Sequence, residues 1–195
     1  MTNASAYVLG GPDIKTYYFD GAPDGTVCPG CGSCLDRSYS PATLDLKEAR
    51  RYDFGNTQDL QPLFSKPFVD MINDLSGQRL AANAIQGSRG YFHLVVTETV
   101  EFDAQRRKTK FGPPCDVCGR VKWIAGATPA FLICNQIPPN GIFRTDLEFG
   151  GQNGRAPLLI LGKELKEKIE SRRFPGIYFD DAYCAGDKYK ADKVH

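Results

Sequence analysis

Four cysteines carry the strongest chemical signal in the chain. They stand as two matched elements, Cys28-Pro29-Gly30-Cys31-Gly32 and Cys115-Asp116-Val117-Cys118-Gly119. Two cysteines separated by two residues bite one ion from a single tight turn. Four thiolates delivered as two such pairs are what tetrahedral zinc requires. The glycine after each second cysteine allows a positive φ, so the turn can aim backbone N–H groups at the sulfurs. The candidate metal ligands are therefore Cys28, Cys31, Cys115 and Cys118, around one structural zinc ion. Closing so long a loop costs about 4 kcal/mol of chain entropy. A structural zinc site contributes roughly 10–16 kcal/mol at neutral pH, so the metal outweighs the closure cost.

Two other chemistries fit the same residue types. Cys28-Pro29-Gly30-Cys31 has the spacing of a thioredoxin-like redox pair. That motif opens a helix after a strand, whereas Gly32 and Ser33 follow here and a second similar pair exists. A catalytic zinc keeps one position open, and four matched thiolates argue for a closed site. The structural site is the preferred reading. Cys34 extends the first element and is read as a spare thiol or an alternative ligand. Cys134 lies in an apolar run and reads as core, and Cys184 is given no role.

The remaining polar residues do not assemble a catalytic constellation. His93 falls within a strand pattern and reads as a packed or surface residue, and His195 is terminal. Glu98 interrupts the apolar face of the same strand and marks a strand end or an exposed edge. Asp180-Asp181 has no partner at matching spacing. There is no Gly-x-Ser-x-Gly, P-loop or dinucleotide fingerprint. The chain is expected not to be an enzyme. A basic cluster surrounds the second cysteine pair: Arg106, Arg107, Lys108, Lys110, Arg120 and Lys122. It supports an alternative, a zinc-ribbon nucleic-acid-binding protein, although only Phe111 and Trp123 supply aromatic interleaving.

The elements that must position these residues are legible in part. Ser65-Lys66-Pro67 reads as an N-cap with an early proline, Phe68, Met71, Ile72 and Leu75 recur at helical spacing, and Gly77 ends the helix. Lys163 to Arg173 reads as a second helix, stopped by Pro175-Gly176. Ala6–Leu9, Ile14–Phe19, Tyr91–Phe102, Val121–Ala125, Phe131–Cys134, Leu158–Leu161 and Ile177–Phe179 read as strands. Ile142 to Arg144 reads as a short extended piece and residues 150–154 as a loop. Residues 35–64 give little periodicity, with Leu44, Leu46, Phe54, Leu60 and Leu63 as a loose packing layer.

The chain of 195 residues is 42% hydrophobic and 24% charged, with a net charge of +1. These values suit one globular domain and carry no overall field toward nucleic acid or an anionic membrane. No signal peptide is read at the N-terminus, and no apolar run is long enough to span a bilayer. Seven cysteines, an odd number, fit a reducing cytoplasm better than a disulfide framework.

The order of the motifs adds a further clue. After the two cysteine elements come Ile142-Phe143-Arg144-Thr145-Asp146, the apolar strand Leu158-Leu159-Ile160-Leu161, the helix from Lys163 to Ser171, and Gly176-Ile177-Tyr178-Phe179. This order resembles the double-CxxCG immunity proteins of myxobacteria and the wider set of polymorphic-toxin immunity proteins. The resemblance covers roughly residues 1–35 and 110–182, and the middle is unmatched. It departs where a serine caps the family's helix, since Gly162 stands there. The resemblance implies a non-catalytic cytoplasmic protein that binds a cognate toxin domain and blocks it, with a structural zinc.

The expectation is thus one α+β domain, residues 1–195, with a mixed or antiparallel sheet and two main helices. A zinc ribbon is expected from residues 26–34 and 111–124, and a mobile tail from 185–195. The partner-binding surface is expected on residues 35–64 and 145–155, since binding surfaces often sit on loops.

Overall fold

The computed structural model describes residues 4–47, 51–78, 80–85, 90–152 and 154–189. The fold is α+β. A larger mixed sheet holds strands β1 (Ala6–Gly10), β7 (Thr99–Val100), β8 (Lys110–Phe111), β9 (Ile124–Ala125), β10 (Ala130–Phe131), β11 (Ile142–Gly151), β12 (Gly154–Gly162) and β13 (Tyr178–Tyr183). Its order is β10-β13-β1-β12-β11-β9-β8, with β7 beside β11. A smaller sheet runs in the order β2-β3-β4-β6-β5, from Asp13–Ile14, Phe54–Thr57, Pro62–Ser65, Tyr91–Val95 and Ala81–Ala84.

Both main helices form where the sequence predicts them. Helix α1 spans Lys66–Ser76, the Ser65 hydroxyl accepts from the Phe68 N–H, and Gly77 closes the helix in the left-handed conformation. Helix α3 spans Lys163–Arg172, and its Gly162 cap makes no side-chain hydrogen bond. A one-turn helix, α2 (Ala104–Arg107), was not predicted, because it buries nothing and so leaves no apolar periodicity. Asp103 caps it by accepting from the Arg106 N–H.

One apolar core joins the helices to both sheets. Phe68, Met71 and Ile72 of α1 pack with Leu165 and Ile169 of α3, with Phe54, Phe64 and Leu94 of the smaller sheet, and with Ile142, Leu159 and Leu161 of the larger. Phe54, Phe64 and Phe68 stack in sequence, with ring centroids 4.7 and 5.3 Å apart. A second core lies on the other face of the larger sheet, where Ile160 joins Val8, Phe102, Leu132 and Phe149. Strand β12 therefore serves both cores with alternate residues, which explains its unbroken apolar run.

Several predicted strands differ from the observed ones. The continuous strand expected from Tyr91 to Phe102 divides at Thr97-Glu98. Its first half pairs with β4 and β5, and Thr99–Val100 crosses to pair with β11. Alternation reports which face is buried but not which sheet supplies the neighbour. Glu98 lies exposed at the crossing, and its carbonyl accepts from the Arg144 N–H. The expected loop at 150–154 is the tip of a long hairpin, since Ile142–Gly151 and Gly154–Gly162 pair antiparallel with a register shift between Arg144 and Glu148. Glycines and Pro157 disguised those strands. Of the strand expected from Ile14 to Phe19, only Ile14 is in a strand, the two-residue β2 that it forms with Asp13. Residues 185–189, within the expected tail, make specific contacts. The Asp187 carboxylate accepts from the N–H groups of Ser5 and Cys184, and the Tyr189 ring packs on Phe131 and Tyr183. Residues 190–195, with His195, lie outside the described residues.

Candidate metal centre

The two cysteine elements fold into the same knuckle. In the first, the Cys28 N–H donates to the Ser33 carbonyl and the Gly32 N–H to the Cys28 carbonyl, both at 2.8 Å. In the second, the Cys115 N–H donates to the Arg120 carbonyl at 2.7 Å and the Gly119 N–H to the Cys115 carbonyl at 2.8 Å. Each knuckle is closed by an antiparallel bridge, Val27 with Cys34 and Pro114 with Val121. Gly32 and Gly119 take φ of 70° and 74°, as the sequence predicts for the turn. No helix follows the first knuckle. The strand-to-helix setting of a thioredoxin-like pair is missing there.

The knuckles meet face to face, although Cys28 and Cys115 stand 87 positions apart. The Cys28 and Cys115 sulfurs are 3.7 Å apart, and those of Cys31 and Cys118 are 3.5 Å apart. All four ligand atoms lie within 4.8 Å of one another. Tetrahedral zinc, with bonds near 2.3 Å, needs sulfur–sulfur separations of about 3.8 Å. The four predicted ligands are thus close enough to hold one metal ion. Three are buried and Cys118 is partly buried, so the set is closed rather than open to a substrate.

Burial, hydrogen bonds and the adjoining thiols tune the sulfurs. Burial raises the Cys31 pKa, but hydrogen bonds from the Ser33 hydroxyl and backbone outweigh it and bring the thiol down to about 6. Cys115 is also lowered, by the backbone N–H groups of Cys118 and Val117. For Cys118 the Arg120 N–H acts downward, yet burial and the adjoining thiols win and push it up to about 11. Sulfurs this close compete for protons when they share no cation. A divalent ion removes that competition by holding all four as thiolates.

A second layer locks the knuckles together. The buried Arg155 on β12 donates from Nη1 to the Ser33 hydroxyl at 3.0 Å and to the Val121 carbonyl at 2.5 Å. Its Nη2 donates to the Glu148 carbonyl at 3.2 Å. Arg155 so ties both knuckles to the long hairpin. Arg120 of the second knuckle donates to the Cys34 carbonyl of the first at 2.7 Å. Arg155 is not recognisable as a site residue from sequence, because nothing local marks its partners, and Arg120, read there as part of the basic cluster, instead joins the two knuckles.

The other candidates scatter. Cys34 stays outside the cluster, where its thiol donates to the Asp36 carbonyl at 3.3 Å and burial raises its pKa. Cys134 packs against the second core beside buried Cys184, and burial pushes its thiol up to about 12. Asp180-Asp181 lies in β13, paired with β1. Among the described residues the metal-competent group consists of the four cysteines alone. His93 packs its ring on Tyr18, 5.0 Å between centroids. The basic cluster is largely committed to intramolecular contacts. Arg106 donates to the carbonyls of Cys184 and Asp187 and lies over the Phe131 ring, Arg107 donates to the Thr128 carbonyl, and Lys122 pairs with Asp116.

No described helix is long and apolar enough to cross a membrane. No protein-family model matches the chain, and no curated protein matches it with significance.

Proposed function

We propose that the protein is an immunity protein that binds a cognate bacterial toxin domain and neutralises it, with the four cysteines holding a structural zinc ion. The observation that carries this reading is the convergence of Cys28, Cys31, Cys115 and Cys118 on one closed four-sulfur cluster. It supports the double-CxxCG resemblance, whose motifs otherwise stand far apart. The apolar strand β12, helix α3 and strand β13 follow in the order that resemblance implies. Four soft thiolates in a compact, closed set favour zinc over oxygen-seeking cations. The cluster works as a clamp: it fixes the start of the chain to the 111–124 segment and, through Arg155, to the β11–β12 hairpin.

The proposed binding face lies on that hairpin and the segment beside it. Arg37 pairs with Glu148, and the Gln61 side chain donates to the Arg155 carbonyl, so residues 35–64 and 145–155 adjoin. Growth of cells expressing the adjacently encoded toxin, with and without this protein, tests the reading. Rescue together with direct binding of the two purified proteins is expected. Absence of both rescue and binding would remove it. Metal analysis of the purified protein is expected to give about one zinc per chain.

A further inference from the structure

Strand β13 is flanked along only part of its length. On one side it pairs with β1 over residues 178–182, and on the other with β10 at Ala182 and Tyr183 alone. On that second side the Tyr183 carbonyl accepts from the Leu132 N–H. Backbone groups alternate between the two sides of a strand, so those of Phe179 turn the same way, and no described strand lies beside them. Pro129, which precedes β10, has no N–H with which to extend the pairing. Such an edge is a ready template for another strand.

A groove opens beside this edge. It lies between β13 and the face of α3 that carries Lys166, Ile169, Glu170 and Arg173, with a volume of about 440 Å³. Phe174, Ile177 and Phe179 make its centre apolar. Phe179 and Asp181 stand two positions apart, so both side chains face it. The two ends carry opposite charge. At one end Lys166 is neutralised by Glu170 at 2.7 Å and lies over the Tyr7 ring, which leaves Asp181, opposite Tyr7 in the sheet, as the net charge. At the other end Arg173 stands exposed, where α3 stops and the chain turns toward Ile177.

We propose that this edge binds an extended segment of a partner protein as an added strand, antiparallel to β13, with one apolar side chain seated in the groove. The residue across from Phe179 exchanges two backbone hydrogen bonds with it, and its side chain shares the face of the Phe179 ring. Positions two away on either side then face Asp181 and the Ile177 end. Asp181 selects a basic residue at the first, and Arg173 an acidic one at the second. The occupant therefore has the pattern basic-x-apolar-x-acidic. Main-chain bonds supply affinity and alternate side chains supply specificity, as in other strand additions. The edge is separate from the hairpin face assigned to the toxin, so either site can fail without the other.

Titration of the full-length, metal-loaded protein with the capped pentapeptide Lys-Thr-Val-Thr-Glu, followed by amide NMR shifts, tests it. Saturation with Kd of about 1 mM or tighter is expected, with shifts concentrated at residues 166–173 and 177–181. Methylating the valine nitrogen removes the donor to the Phe179 carbonyl and should weaken binding at least about fivefold. Asp181→Asn keeps an acceptor for the Tyr183 hydroxyl and so should fold normally. It should weaken this peptide about threefold and leave the analogue with threonine in place of lysine unchanged. Failure to saturate, equal binding of the N-methyl peptide, an equal effect of Asp181→Asn on both peptides, or shifts confined to other surfaces would overturn the proposal. So would a concentration-dependent dimer that buries residues 177–181, which would give the edge to a second copy of this chain.

Discussion

Arg155 Nη1 stands 3.0 Å from the hydroxyl of Ser33, across 122 positions of sequence. The same hydroxyl lies 3.1 Å from the Cys31 sulfur. Because the guanidinium can only donate, the Ser33 oxygen accepts from Arg155 and is free to turn its own proton to the thiolate. A buried cation is thereby linked to a sulfur through one hydroxyl. Four thiolates around a dication carry a net charge of −2, so a neighbouring guanidinium offsets part of the excess.

Ser33→Ala tests this linkage. It removes the donor to Cys31 and one acceptor of Arg155 without touching a ligand. Metal affinity should fall about 10–100-fold, the range for lost partners of metal ligands. Competition with a colorimetric zinc chelator measures it. Unchanged affinity would mean that the Ser33 bond does not bear on the metal.

Cys115→Ser removes a ligand from a closed set. The remaining sulfurs cannot complete the coordination, and the two knuckles lose the tie between them. Metal content should fall below one per chain, and stability should fall by at least about 4 kcal/mol, a melting shift of roughly 10 °C for a chain of this size. Chelation of the wild-type protein should produce a comparable shift, reversed by added zinc. A metal-free protein of unchanged stability would overturn the structural-zinc reading.

Stability should depend on pH through His93. In the unfolded chain its pKa is near 6.5, whereas burial lowers the folded value to about 4. Between those values the unfolded state binds more protons, so stability rises with pH. The penalty is absent above about pH 6.5, grows as pH falls, and levels off below about pH 4 at about 3 kcal/mol. Denaturant unfolding of wild type and His93→Leu at pH 7 and pH 4.5 isolates it, since other groups titrate alike in both. The variant's stability relative to wild type should increase by about 2 kcal/mol at the lower pH. A constant difference would place His93 outside the protonation linkage.

Asp59 gives a prediction that the sequence did not suggest. Its buried carboxylate accepts from the N–H groups of Tyr18 and Phe19 at 2.9 and 2.8 Å, and from the Thr57 hydroxyl. Asp59→Ala orphans the two backbone donors, while the Thr57 hydroxyl keeps the Gln61 carbonyl as an acceptor, and should cost about 2–4 kcal/mol. Amide exchange at Tyr18 and Phe19 should accelerate more than exchange in α1. Uniform acceleration would mean that Asp59 acts on global stability rather than on that turn.

What was legible in the chain follows the range of the interactions. The knuckles, the Ser65 cap and helix α3 are written in residues within one or two turns of each other. Their chemistry is complete locally, and the structure reproduces them. Asp59 and Arg155 work through partners 41 and 122 positions away, so no window of sequence contains the pair. The crossing at Glu98 was legible only in part: Glu98 breaks the apolar alternation and does lie exposed at a strand end, but the pattern resumes at Val100 and Phe102 with no sign that the neighbouring strand has changed.

The basic cluster separates two functional readings. If Arg106 serves phosphate binding, Arg106→Ala should weaken nucleic-acid affinity and flatten its salt dependence while leaving the fold unaffected. The contacts of Arg106 argue otherwise. Its guanidinium donates to the Cys184 and Asp187 carbonyls at 3.1 and 3.0 Å and sits 4.3 Å from the Phe131 ring centroid. Substitution should therefore lower stability by about 1–3 kcal/mol, through the two unpaired carbonyls and the lost ring contact. Lys108→Ala, at an exposed helix end, should change stability by less than about 0.5 kcal/mol. Thermal unfolding of the two variants, beside DNA- and RNA-binding assays across a salt series, distinguishes the cases. A stable Arg106→Ala protein with salt-sensitive nucleic-acid binding lost would favour the nucleic-acid reading. A destabilised one, with no salt-sensitive binding in wild type, would assign this arginine to holding the 184–187 segment against β10.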